Sequence, residues 1–118
     1  PPGIGCPVMA SLAGVSLAVL VTEPTTSGYH DLLRILRVCE GFGVRTGAVI
    51  NRFDLDERVA RRIEAKCHAK GVPLLGRIPT DRDVIRSLVQ GIPAVRYSNG
   101  PAALEIKRTW LRIQEALV

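Results

Sequence analysis

The octet from Gly47 to Asp54, G-A-V-I-N-R-F-D, constrains this chain more than any other stretch. Ala48, Val49 and Ile50 form an apolar run too short for a helix and rich in β-branched residues. Such a run reads as a strand buried on both faces, the kind found in parallel sheets covered by helices. It stops at Asn51, and in an open α/β sheet ligands sit in the crevice beyond the carboxyl ends of the strands. Asn51 is thereby expected at the lip of that crevice. Its amide offers a donor and an acceptor in one plane, which matches the N6/N7 edge of adenine. An Asn after a strand also starts turns. The octet alone leaves both readings open.

The rest of the chain supplies layers around that strand. Ser16 to Thr22 (S-L-A-V-L-V-T) is a second apolar strand and Val72 to Ile78 a third. A short helix is expected over Val8 to Ala13, stopped by Gly14. A longer one runs from about Gly28 to Glu40, with Ser27 as cap and Leu32, Leu33, Leu36 and Cys39 on one face. Asp54 is the expected cap of a helix from about Leu55 to Lys70, with Glu57 three residues on as in a capping box. T-D-R-D opens a helix from Asp81 to Gln90, capped by Thr80 or Asp81 and stopped by Gly91. Ile92 to Tyr97 reads as a connector, and Pro101 opens a last helix reaching Val118. Its stripe of Ala103, Ile106, Trp110, Ile113 and Leu117 is expected to pack on the chain's own sheet. Strand and helix alternate three times, which argues for an α/β fold with a doubly wound parallel sheet and right-handed crossovers. Three strands are few for this architecture, so the fold reads as truncated at its N-terminus.

Composition excludes several classes. A length of 118 residues suits one domain with a usable core. No apolar run reaches the roughly 18 residues of a membrane span, and these residues do not read as a charged-then-apolar leader, so none is expected. Cys6, Cys39 and Cys67 are odd in number and far apart, which fits neither a disulfide framework nor a C-x-x-C metal motif and points to a reducing cytoplasm. Cys6 reads as a small buried residue. Arg58, Arg61, Arg62 and Lys66 form a basic cluster, but Asp56, Glu57 and Glu64 dilute it, so a solvated face is favoured over a nucleic-acid surface. The opening P-P-G-I-G is a loop whose glycines permit close backbone approach to a phosphate, although Pro/Gly clusters also mark plain turns.

Taken together, several stretches resemble the MinD/ParA-type P-loop ATPases, most closely the branch with an inserted ferredoxin domain. They are P-P-G-I-G-C-P-V-M-A-S at the start, V-T-E-P-T-T-S-G-Y-H-D-L-L-R, V-I-N-R-F-D-L, G-R-I-P-T-D, and the final helix after S-N-G-P-A. The resemblance runs through essentially the whole chain in the family's order. It implies a sheet of the P-loop NTPase type whose N-terminal strands and P-loop are missing, residues 1–118 being the C-terminal part of one nucleotide-binding domain. It also implies a nucleotide site with Gly3 at the γ-phosphate, Asn51 at adenine with the nucleotide-binding Arg52 beside it in sequence, and Pro79 and Asp81 bordering the base. Glu23 to Asp31 looks like a signature of the branch.

The departures are as informative. A P-loop requires G-x-x-x-x-G-K-[ST], whose N–H groups and Lys cradle phosphates while the hydroxyl holds Mg²⁺. Here Lys66, Lys70 and Lys107 are the lysines, none of them preceded by Gly. The chain by itself is therefore expected to lack catalytic residues, ATP hydrolysis and an iron–sulfur cluster. In the intact protein the resemblance implies ATP and Mg²⁺, a dimerisation-linked switch, and an iron–sulfur cluster in the ferredoxin insert. The expected partners are the nucleotide and either a homodimer mate or the missing N-terminal half, with nucleic acid and membrane disfavoured. Two other readings stay open: a GTP-binding protein using Asn51 and Asp54, because N-R-F-D is similar to the N-K-x-D base motif, and a non-catalytic interaction module.

Overall fold

The computed structural model describes residues 5–118. Three parallel strands form one sheet in the order β1-β2-β3: β1 is Ala18–Thr22, β2 is Thr46–Asn51 and β3 is Leu74–Ile78. Around it lie α1 (Cys6–Leu12), α2 (Thr26–Phe42), α3 (Glu57–Ala69), α4 (Arg82–Gln90), the short α5 (Ala94–Tyr97) and α6 (Pro101–Leu117). The α/β architecture predicted from the apolar runs is the one observed. β2 is the middle strand, and Gly47 to Ile50 are all buried, because its alternating side chains meet covered surface on both sides.

On one face, Ala48 and Ile50 pack with Leu32 and Leu36 of α2 and with Ile63 and Cys67 of α3. Leu12 of α1 joins Ala18 and Cys39 in an adjoining cluster. On the other face α6 crosses β3 so closely that a Cβ on Gly76 would run into Thr109. That approach depends on small residues: α6 buries Ala102, Ala103 and Thr109. Its expected stripe is therefore only partly used, with Trp110 56% and Leu117 50% exposed at the margins of the contact. In α4 the buried residue is Ser87, while Ile85, Leu88 and Val89 face solvent, opposite to the usual helix pattern.

Local differences from the sequence reading have local causes. Thr25, not Ser27, caps α2 by accepting the Gly28 N–H. The cap of α3 is Asp56, which accepts from the N–H groups of Arg58 and Val59. Asp54 lies two residues earlier in a 3₁₀ turn over Phe53–Leu55 and is engaged elsewhere. Cys6 is exposed, whereas Cys39 and Cys67 are buried. Among the described residues no helix is long and apolar enough to cross a membrane.

The two edges of the sheet differ in kind. Along β3, Arg112 Nη1 donates to the Leu75 carbonyl at 3.0 Å and Arg77 pairs with Glu64 at 2.5 Å. Such charges blunt an edge against strand addition. β1 reads A-V-L-V-T and carries none. Val21 is 66% exposed there, beside a groove of about 550 Å³ lined by Leu12, Val19, Leu20 and Ile35 among others.

Candidate nucleotide site

Parallel strands bring their carboxyl ends to one edge of the sheet, and the register aligns them. Thr22 lies opposite Ile50, and Asn51 opposite Ile78. The loops after β1, β2 and β3 therefore open on a common crevice, with Glu23, Asn51 and Pro79 as their first residues beyond or at the strand ends. Asn51 is half-buried at the lip, as its place at the end of the apolar run required. Its Oδ1 accepts the Arg52 N–H at 3.0 Å. Among the described residues its amide nitrogen has no hydrogen-bond partner.

Arg52 holds a left-handed backbone conformation, φ 51 and ψ 46, which costs a non-glycine residue about 1 kcal/mol. The turn is held by that Asn51 bond and by the Leu55 N–H donating to the Arg52 carbonyl at 2.9 Å. The bend directs the guanidinium toward the β1 loop, where Nη1 lies 3.9 Å from Glu23 Oε2. Both side chains are nearly half exposed, so this pair stabilises little. Asp54 makes a stronger connection on the other side. Its Oδ1 accepts the Thr80 N–H at 2.8 Å, joining the β2–α3 loop to the β3–α4 loop.

Asp81 is a junction of two helices. Oδ1 accepts the Asp83 N–H at 2.9 Å and caps α4, while Oδ2 accepts the Ala102 N–H at 3.2 Å in the first turn of α6. Beside it, Ser98 donates its hydroxyl to Asp83 Oδ2 at 2.6 Å and accepts the Gly100 N–H at 2.9 Å. The positive ends of both helix dipoles thus meet two carboxylates, which they favour. Pro79 is half-buried one residue past β3. Gly3 lies outside the described residues.

Two of these carboxyls are shifted. Hydrogen bonds from the Thr80 N–H and then the Thr80 hydroxyl hold Asp54 below the ordinary value of 3.8, and the Ser98 hydroxyl does the same for Asp83, helped by Arg86. A depressed folded pKa contributes stability above the unfolded value and loses it as pH falls through the folded one. The urea midpoint should therefore be level from about pH 7 to 5 and fall below about pH 4. In the double variant Asp54→Asn, Asp83→Asn that acid loss should be shallower. An equally steep fall in the variant, followed by circular dichroism, would assign the acid sensitivity to other groups.

The chain as a whole has relatives of known sequence and structure. An uncharacterized ATP-binding protein of Methanocaldococcus jannaschii is 29% identical over 108 residues, covering 90% of this chain and 40% of that protein. The cell division ATPase MinD of Pyrococcus furiosus superposes with a TM-score of 0.79 at 27% identity, over 98% of this chain and 49% of that one. The chain is similar to the MinD/ParA-type P-loop ATPases. MinD of Pyrococcus horikoshii, solved with Mg-ADP, gives a TM-score of 0.79 at 26% identity over 98% of this chain and 48% of its own. No protein-family model matches the chain. This chain spans about half the length of the MinD structures it matches and less of the curated relatives.

Against a MinD-type sheet, the structure brings Asn51, Arg52, Pro79 and Asp81 to the same edge. The sequence reading missed the contacts that link them: Asp54 with Thr80, Arg52 with Glu23, and the second helix held by Asp81. These partners lie 26, 29 and 21 residues apart, and no local spacing announces them. Cys67 is buried and His68 beside it exposed, as adjacent helical positions dictate. No group of three or more candidate metal-ligating side chains occurs among the described residues. The donor set does not fit an iron–sulfur cluster, since one cysteine is exposed on α1 and the other two are buried on separate helices.

Proposed function

We propose that this chain is the C-terminal part of a MinD-like nucleotide-binding domain whose intact form binds and hydrolyses ATP as a dimerisation-linked switch. The observation that carries the reading is the crevice edge, where three strand-end loops converge and the Asn51 amide nitrogen stands without a partner among the described residues. An amide so placed can donate to N7 of adenine, and the second lone pair on Oδ1 can accept from N6. Pro79 supplies an apolar wall for the base. Arg52 and Asp81 hold the loops that frame it. The triphosphate and Mg²⁺ do not fit this chain's residues, because the sequence has no G-x-x-x-x-G-K-[ST]. They belong to a P-loop upstream, with Gly3 approaching the γ-phosphate.

The apolar β1 strand, which pairs with one neighbouring strand among the described residues, supports the same reading. A strand whose own residues are all apolar or uncharged is what an interior strand looks like, and further strands added there would carry the P-loop. Water attack in line on the γ-phosphate would then use groups outside this chain. A homodimer is the expected form of the intact switch. Iron–sulfur or redox coupling would depend on a ferredoxin insert upstream, since these cysteines do not form a ligand set. GTP is the weaker reading because Asp54, which would have to receive guanine's N1 and N2 donors, is already bonded to Thr80.

Calorimetry with ATP and GTP plus Mg²⁺, on the 118-residue chain and on a form extended upstream, tests the proposal. ATP binding by the extended form alone is the expected result. Tight ATP binding by the short chain would overturn this account of the phosphate site. Binding by neither form would leave an interaction module that docks through the β1 edge.

A further inference from the structure

The tetrapeptide Asn51-Arg52-Phe53-Asp54 sits on the middle strand's loop and reaches both neighbouring loops. Its path is fixed from below, because Phe53 packs against the cluster of Leu36, Ile50 and Ile63. The left-handed turn at Arg52 then sends successive polar side chains in different directions. Arg52 reaches back to Glu23 after β1, and Asp54 reaches forward to Thr80 after β3. Between them the Asn51 amide nitrogen has no partner among the described residues.

The two links are unequal. Arg52 and Glu23 are separated by 3.9 Å with both ends in water, so their coupling is weak. The Asp54 link is a backbone N–H donating to a carboxylate at 2.8 Å, a charge-assisted bond with a rigid donor. The Thr80 N–H has no helical partner, since α4 begins at Arg82. The sheet already holds Ile78 opposite Asn51, so Asp54 fixes the step beyond it: without that bond Thr80 would be held only through its neighbours, Pro79 behind it and Asp81 with its two helix caps ahead.

We propose that Asp54 is a positioning residue of the nucleotide site: its bond to Thr80 sets the Pro79 wall at a fixed distance from Asn51 and so pre-organises the slot for the base. This rests on the reading of the crevice as a nucleotide site. Asp54 acts without touching the ligand, and its effect is confined to ligands that carry a base. The neutral Asn side chain has the same shape and keeps an oxygen to accept the Thr80 N–H. Ala has none.

The test measures Kd for ATP and for inorganic triphosphate on the full-length gene product, as wild type, Asp54→Ala and Asp54→Asn, with folding checked by thermal melts. Asp54→Ala should weaken ATP roughly three- to ten-fold, Asp54→Asn should restore most of that loss, and triphosphate affinity should be the same in all three. Equal ATP affinity in wild type and Asp54→Ala would overturn the positioning role while leaving the nucleotide site standing. So would a parallel loss of triphosphate affinity, which would mark a general structural effect. Failure of the wild type to bind ATP would overturn the reading of the site, and this role with it.

Discussion

Gly28→Ala and Gly41→Ala, the same substitution made twice in α2, should shift stability in opposite directions. Helix propensity alone favours Ala over Gly by up to about 1 kcal/mol at either position. At Gly41 nothing lies within 4 Å of an added Cβ. The substitution there should stabilise, by about 0.5 kcal/mol, because the position is close to the C-terminal end of the helix. At Gly28 an added Cβ would run into the Glu23 backbone oxygen and would stand 3.0 Å from Thr25 Oγ1 and 3.1 Å from Thr22 Oγ1. None of these neighbours is free to withdraw. The Glu23 carbonyl accepts the Thr25 N–H at 2.9 Å, the Thr25 hydroxyl caps α2, and the buried Thr22 hydroxyl donates to the Gly28 carbonyl at 3.1 Å. Overpacking against fixed atoms costs roughly 3 kcal/mol, which exceeds the propensity gain. Gly28→Ala should therefore lose about 2 kcal/mol net in urea denaturation. Equal effects at the two glycines would mean that the β1–α2 junction is softer than its hydrogen bonds indicate. Because Glu23 is the residue displaced, the same variant should disturb the crevice that Glu23 borders.

The architecture was readable because its signal is local. Three short apolar runs, each broken at a polar residue, specify buried parallel strands, and the end of the middle run places Asn51 at the crevice before any coordinates are known. The alternation of strand and helix then leaves few topologies. Caps were readable to within two residues, and the error at α3 has a tertiary cause. Asp54 and Asp56 are both capable caps for α3, and the choice between them depends on Thr80, whose N–H claims Asp54 from the next loop. The stripe on α6 shows the same limit. Periodicity identifies Ala103, Ile106, Trp110, Ile113 and Leu117 as one side of the helix. It does not say how wide the sheet beneath them is, and here small residues make the closest contact while Trp110 stands half out. The strand-end positions were legible in the sequence, and the contacts between the loops were not. Asn51 and Pro79 follow from strand ends, whereas the bonds that hold them in register join segments brought together only by folding.

Asp81→Ala should cost roughly 2 to 3 kcal/mol of stability, well beyond an ordinary cap deletion of about 1. One carboxylate serves two helices: Oδ1 receives the Asp83 N–H of α4 and Oδ2 the Ala102 N–H of α6. Each deletion leaves an N–H donor in a half-buried place and removes a negative charge from a helix N-terminus. The packing offers no substitute. Ser98, the nearest hydroxyl, is already committed to Asp83 and Gly100, and a side chain on Gly100 would crowd Asp81 Oδ2 and Ser98 Oγ, each 3.0 Å from its Cβ. Asp81→Asn separates the two functions. Its amide oxygen can still cap one helix, but its NH₂ group then faces the other helix's N–H, donor against donor, so about half the loss should remain. The expected order of urea midpoints is wild type, then Asn, then Ala. Asn equal to wild type would show that the first turn of α6 is satisfied by water and that Asp81 caps α4 alone. The Ala variant should also loosen Thr80, which lies between the Asp54 bond and the Asp81 caps, and on the proposed reading of the crevice as a nucleotide site it should lower ATP affinity as well.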